Sequence, residues 1–187
     1  MDIDVIKIVQ KLFLKELNLP ESYGRDKFGF VIPSVYLISP SANLGDTDKL
    51  QIGIQSIGSN CIANQTNYAI IENVYTEVSE LVIDDIIQID IMSRNNEARD
   101  RRFEIIAALN STYSKQLQEE YCFKIFQIPE RMSYTGLLET SAYIYRYTLT
   151  INCQYSKRYT KPVDYYNKFN IEVNKDDLKH PQKIKFE

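Results

Sequence analysis

Between residues 140 and 158 the side chains alternate with a period of two. Tyr143, Tyr145, Tyr147, Leu149, Ile151, Cys153 and Tyr155 fall on one face, and Ile144, Arg146, Thr148, Thr150, Asn152 and Gln154 on the other. That period is a β-strand, and the apolar-against-polar split is an antiparallel strand with one covered face. The run is longer than an ordinary strand, so part of it is expected to project beyond its sheet. A strand of this kind needs neighbours on its edges and a cover on its apolar face.

The neighbours come from several stretches. Residues 28–38 are strand-like, with Pro33 at an edge or bulge. In 50–57, Leu50, Ile52 and Ile54 oppose Gln51 and Gln55. Further strands are expected from Tyr68 to Val78 and from Leu81 to Met92, where Ile83, Ile87, Ile89 and Ile91 share a face; Asp84-Asp85 marks a bulge or bend. Phe123–Ile128 is a short strand closed by Pro129. Residues 40–49 and 59–66 read as polar loops by composition.

The cover comes from two helices. Residues 2–18 carry Val5, Ile6, Val9, Leu12, Phe13 and Leu17 at helical spacing, with Asp2 or Asp4 as cap and Asn18 and Pro20 as stop. Residues 95–121 form the second, capped by Ser93 or Asn95, with Ile105, Ile106, Leu109, Tyr113, Leu117 and Tyr121 as its buried stripe. The expected fold is α+β: a mostly antiparallel β-sheet with two helices packed on one face. One domain spans 1–173, and the polar, lysine-rich 174–187 reads as an extended C-terminal arm.

Chemistry is sparse. The one histidine, His180, sits in the polar tail, away from any fixed nucleophile. No Gly-rich phosphate loop occurs. Three cysteines, Cys61, Cys122 and Cys153, match no zinc spacing and point to a reducing compartment; Cys122 and Cys153 read as buried small hydrophobes. Asp84, Asp85 and Asp90 have the ligand type of a hard-metal site, but regular strand geometry puts Asp85 and Asp90 on opposite faces, so a solvated edge is the better reading. No catalytic, cofactor or metal residue is assigned, and the chain is expected not to be an enzyme. The net charge of −3 argues against general binding to nucleic acid or an anionic membrane. The acidic opening lacks the basic start of a signal peptide, and no apolar run is long enough to span a bilayer.

The start of the second helix stands out. Arg94, Glu97, Arg99, Asp100, Arg101, Arg102 and Glu104 crowd its first turns. Arginines near a helix amino end oppose the macrodipole. The cluster is either a solvated face or an interface that pairs arginine with carboxylate across subunits, for which the guanidinium fork is suited. With 14 tyrosines available to cover contact area, the chain reads as an assembly component.

Two stretches carry a resemblance. The phrase Ile89-Asp90-Ile91-Met92-Ser93-Arg94-Asn95-Asn96-Glu97-Ala98-Arg99-Asp100-Arg101-Arg102, continuing to Gln118-Glu119-Glu120-Tyr121, and the segment Tyr155–Phe169 with Val163-Asp164-Tyr165-Tyr166 resemble the neck or tail terminator proteins of tailed bacteriophages. The strand Gln51-Ile52-Gly53-Ile54-Gln55 fits as well, while Cys122 stands where that family has glycine. The resemblance covers residues 28–170. It implies a virion protein of the phage neck, assembled in the bacterial cytoplasm. Its copies form a ring of six that caps the tail tube, ends tube growth and joins the tail to the head connector, with genomic DNA passing through the lumen. The implied partners are copies of itself, the tail tube protein, the head–tail connector or adaptor, and sheath or collar proteins; no membrane is involved. Arg94, Glu97, Arg99, Asp100, Arg101 and Arg102, with Asp164, Tyr165 and Tyr166, are the subunit-contact residues this reading implies. The alternatives are a head-completion or head–tail adaptor protein and, further off, a small metal-dependent enzyme.

Overall fold

The computed structural model describes residues 4–38, 48–72, 74–139 and 142–163. In chain order these form α1 (Val5–Glu16), β1 (Ser22–Arg25), β2 (Val31–Pro33), β3 (Val35–Leu37), β4 (Gln51–Ile71), β5 (Val74–Ser93), α2 (Glu97–Leu109), α3 (Thr112–Glu120), β6 (Phe123–Phe126), β7 (Ser133–Tyr134), β8 (Leu137–Glu139) and β9 (Ala142–Pro162). The chain is α+β with a mostly antiparallel sheet, as its patterning predicts.

The sheet runs β3-β4-β5-β9-β6, with β7 and β8 pairing other stretches of β9. Only the β3–β4 pair is parallel among the described strands; β1 and β2 form a separate hairpin. Cross-strand rows define the faces. Val35, Ile52, Ile91 and Tyr147 lie side by side, followed by Ile54, Ile89 and Leu149, then Ile87 and Ile151. This face packs on Val5, Val9, Leu12 and Phe13 of α1, Ile105 and Leu109 of α2 and Leu117 of α3. Each such side chain taken fully out of water contributes about 1.5–3 kcal/mol, and this interior is the mechanical base for everything the sheet carries beyond it.

Local chemistry sets the ends of the helices. Asp4 caps α1 by accepting the Lys7 N–H. At α2 both expected residues act: Asn95 Oδ1 accepts the Glu97 N–H and Ser93 Oγ accepts the Ala98 N–H. The single helix expected over 95–121 is two. It breaks at Asn110, and the Ser111 side chain caps α3 by accepting the Ser114 N–H. A serine that offers its own oxygen to the backbone ends one helix and starts another without losing the buried stripe.

Three strand expectations are corrected. Residues 59–66, read as a polar loop, are continuous strand within β4, and the run from Tyr68 to Val78 is not one strand but the tip of the β4–β5 hairpin, turning after Ile71. Residues 28–38 likewise divide into a loop, β2 and β3. Residues 40–47 of the first expected loop, Asp2, His180 and the arm 174–187 lie outside the described residues.

Candidate assembly interface

The charged start of α2 is largely consumed inside the chain. Arg101 reaches Glu97 at 3.3 Å and Glu104 at 2.8 Å, and its Nη2 donates to the Leu17 carbonyl at the end of α1. Its hydrogen bond to Glu104, helped by the charges of both glutamates, outweighs partial burial and holds the guanidinium above its usual range. Glu97 also accepts the Leu50 N–H, fixing the entry to β4. Arg101 and Glu97 thus lace α1, α2 and β4 together. Close by, the Tyr23 hydroxyl donates to the Leu50 carbonyl, and burial followed by the charge of Glu97 raises its pKa.

The outward part of the cluster is different. Arg99 and Asp100 pair on an exposed surface. Arg102 stacks its guanidinium 4.4 Å from the centroid of Phe103 and 5.3 Å from that of Tyr147. Tyr147 packs on Tyr134, and Tyr143 meets Tyr145 edge-on, so the patch continues across the sheet end in aromatic rings. Phe103, Tyr134 and Tyr143 are exposed. Arginine over aromatic rings, with half-exposed tyrosines beside it, is the composition of interface hot spots.

The aspartates are not a solvated edge. Asp90 is fully buried on the sheet face opposite the helices, in a row with Tyr36, Gly53 and Thr148. It accepts from Arg146, Thr148 and Gln88. Its charge, after burial, drives the Tyr36 hydroxyl pKa up. Asp85 is buried on the helix side, bonded to Ser59 and to the Tyr155 hydroxyl, and Asp84 accepts from Asn152. The expected opposition of Asp85 and Asp90 across the sheet holds. The expected solvation does not, because each carboxylate meets donors from β9, far along the chain, that let it leave water. Among the described residues no group of three or more His, Cys, Asp or Glu is placed to hold a metal ion.

Beyond the helices, β4, β5 and β9 continue as a three-stranded arm. β9 accompanies β5 as far as the Thr76–Pro162 pair, and β4 and β5 pair to Ile71–Val74. Past Ile54 the outer edge of β4 has no strand partner among the described residues. From Leu50 to Ile71 the sequence carries no charge and no proline. Irregular register at Ser56/Gly58 and Cys61/Ala63 bends the root of the arm, and from Ala63 onward the ladder is unbroken. Ile57, Ile62, Tyr68 and Ile70 are all exposed on this strand.

Of the implied contact residues, the structure gathers Glu97, Arg99, Asp100, Arg101 and Arg102 at one corner, beside the partly buried Arg94; Asp164, Tyr165 and Tyr166 lie outside the described residues. Sequence reading missed the arm edge and the loop 26–30, whose Asp26 and Gly29 are turn residues that could have marked it. Cys153 is buried as expected, but Cys122 is exposed, because it follows α3 at a turn rather than facing the core. No protein-family model matches the chain, and no curated protein matches it.

Proposed function

We propose that this chain is a structural protein of a tailed-phage neck whose copies close into a ring, six in number, at the head-proximal end of the tail tube. There the ring ends tube growth and presents a docking face to the head connector. The observation that carries this reading is the arm. Monomeric proteins protect a strand edge with charge, proline or bulges. The stretch Ala63–Ile71 has none of these and adds exposed isoleucines and a tyrosine. Such an edge is suited to receive a strand from another chain, with main-chain hydrogen bonds supplying affinity.

The rest of the molecule supports the same reading. A helix-covered core anchors the arm as a rigid wedge, and the Arg102 aromatic patch offers a second contact surface at the far end of the sheet. A cyclic, head-to-tail contact between unlike faces closes a ring and halts further growth where the outer faces differ. The net charge of −3 suits a conduit, because a basic lumen would hold the DNA that has to slide.

Electron microscopy of lysates from a phage carrying a stop codon in this gene tests the proposal. Overlong or irregular tails without heads are the expected result. Tails of normal length beside unattached filled heads would move the protein to the head-completion or adaptor role, and intact virions would overturn both.

A further inference from the structure

Two exposed features stand apart from the contacts above. The first is the loop 26–30 between β1 and β2, which holds Phe28 and Phe30 in solvent at 72% and 69% exposure. The loop is tightly built. Asp26 Oδ1 accepts the N–H groups of both Phe28 and Phe30, Arg25 Nη1 donates to the Gly29 carbonyl, and Gly29 takes the left-handed φ of 85° that glycine allows. Lys27 Nζ lies 5.2 Å from the Phe28 ring centroid, so a cation travels with the ring. A rigid aromatic knob loses little conformational freedom on docking.

The second is a cleft of about 280 Å³ at the root of the arm, lined by Ile62, Asp84, Phe126, Gln127, Asn152 and Gln154. Among the described residues it offers apolar walls from Ile62 and Phe126 and one acid, Asp84. A second cleft holds, among the described residues, Lys124 and no acid and would repel Lys27, while in a third the acids Asp4 and Asp85 are balanced by Lys7 and Lys157.

We propose that Phe28 of one copy, accompanied by Lys27, docks between Ile62 and Phe126 of a second copy, with Lys27 facing Asp84. The inference rests on the self-assembly in the reading above and names its joint. The contact does not form within one chain: Phe28 stands in solvent and is not among the residues that line the cleft. Knob and cleft are therefore unlike surfaces at different places on each copy. That is a heterologous joint, which repeats from copy to copy until the ring closes.

The test uses the full chain. Phe28→Ala removes the knob and keeps the cleft; Ile62→Asp spoils the cleft and keeps the knob. Both positions are exposed, so far-UV circular dichroism is expected to stay native. In sedimentation velocity each variant alone should self-associate at least about tenfold more weakly than the parent. A one-to-one mixture should form a heterodimer and stop there, because only one joint per pair is intact. Variants that assemble like the parent, or a mixture that stays monomeric, overturn the joint while ring formation by another surface stands. A parent chain still monomeric at about 1 mM overturns the joint and the self-assembly beneath it. Where either variant fails to fold, Lys27→Glu and Asp84→Lys decide: each alone weakens association, and the two combined in one chain restore it, whereas no recovery overturns the pairing.

Discussion

Arg146 and Asp90 form an ion pair of 2.7 Å across the sheet face opposite the helices, and the carboxylate is fully buried. Thr148 and Gln88 complete its hydrogen bonds, while Arg146 Nε is buried with no hydrogen-bond partner among the described residues. A pair of this kind is costly to break and cheap to replace whole, because removing one partner strands the other's charge. Arg146→Met is expected to cost about 3 kcal/mol, read as a lower urea midpoint. Asp90→Leu combined with Arg146→Met should recover most of that loss. A single variant as stable as the parent would show that Asp90 does not depend on Arg146.

Arg101 and Arg99 lie within one turn of each other, yet their surroundings predict different outcomes. Arg101 joins α2 to the Leu17 carbonyl and to two glutamates while half-buried, so Arg101→Ala should cost about 1–2 kcal/mol in thermal unfolding. Among the described residues Arg99 pairs with Asp100 at the surface, and Arg99→Ala should leave stability within about 0.5 kcal/mol of the parent. If assembly uses this corner, its loss in Arg99→Ala is a direct contact effect, whereas loss in Arg101→Ala reflects a loosened α1–α2 junction.

The elements legible in the sequence are those pressed on one side by the core. β9 shows its period of two because Leu149, Ile151, Cys153 and Tyr155 face the helices while their neighbours do not. The buried stripe of 95–121 was legible, but its break was not, since Leu109, Tyr113 and Leu117 keep facing the core on both sides of Asn110. Residues 59–66 escaped notice for the opposite reason. In the arm these side chains are exposed on both faces, so no burial imposes alternation, and Ser, Asn, Gln and Thr there have loop composition with strand backbone. The network around Asp90 was equally hidden, because its partner Arg146 lies far along the chain.

Cys122 offers a stabilising substitution. It follows α3 with a φ of 51°, the left-handed conformation that commonly ends a helix and that glycine adopts without a Cβ penalty. Its side chain is exposed and contributes no core packing. Cys122→Gly should therefore raise stability by about 0.5–1 kcal/mol, the relief of left-handed strain less the added freedom of glycine in the unfolded chain. Calorimetry should show a higher Tm, and a lower one would mean that the Sγ contact to the Glu119 carbonyl matters more than the backbone does.

Cys153 gives the protein an alkaline limit. Burial, followed by the charges of Asp85 and Asp84, pushes its thiol up to about 12 from an ordinary value of 9.0. Between those pH values the unfolded chain has released the proton and the folded chain still holds it. The folded state binds more protons there, so stability falls as pH rises, by at most about 1.4 kcal/mol per pH unit for this one group. Below about pH 9 its contribution is fully present. Tyr36 and Tyr23, also raised, add to the decline from about pH 10 upward. Cys153→Ala removes the thiol and leaves the tyrosines. Urea unfolding as a function of pH should therefore show a shallower slope above about pH 9 in the variant, whatever its absolute stability at neutral pH. Parallel slopes for parent and variant would mean that the thiol titrates in the fold as it does in the open chain.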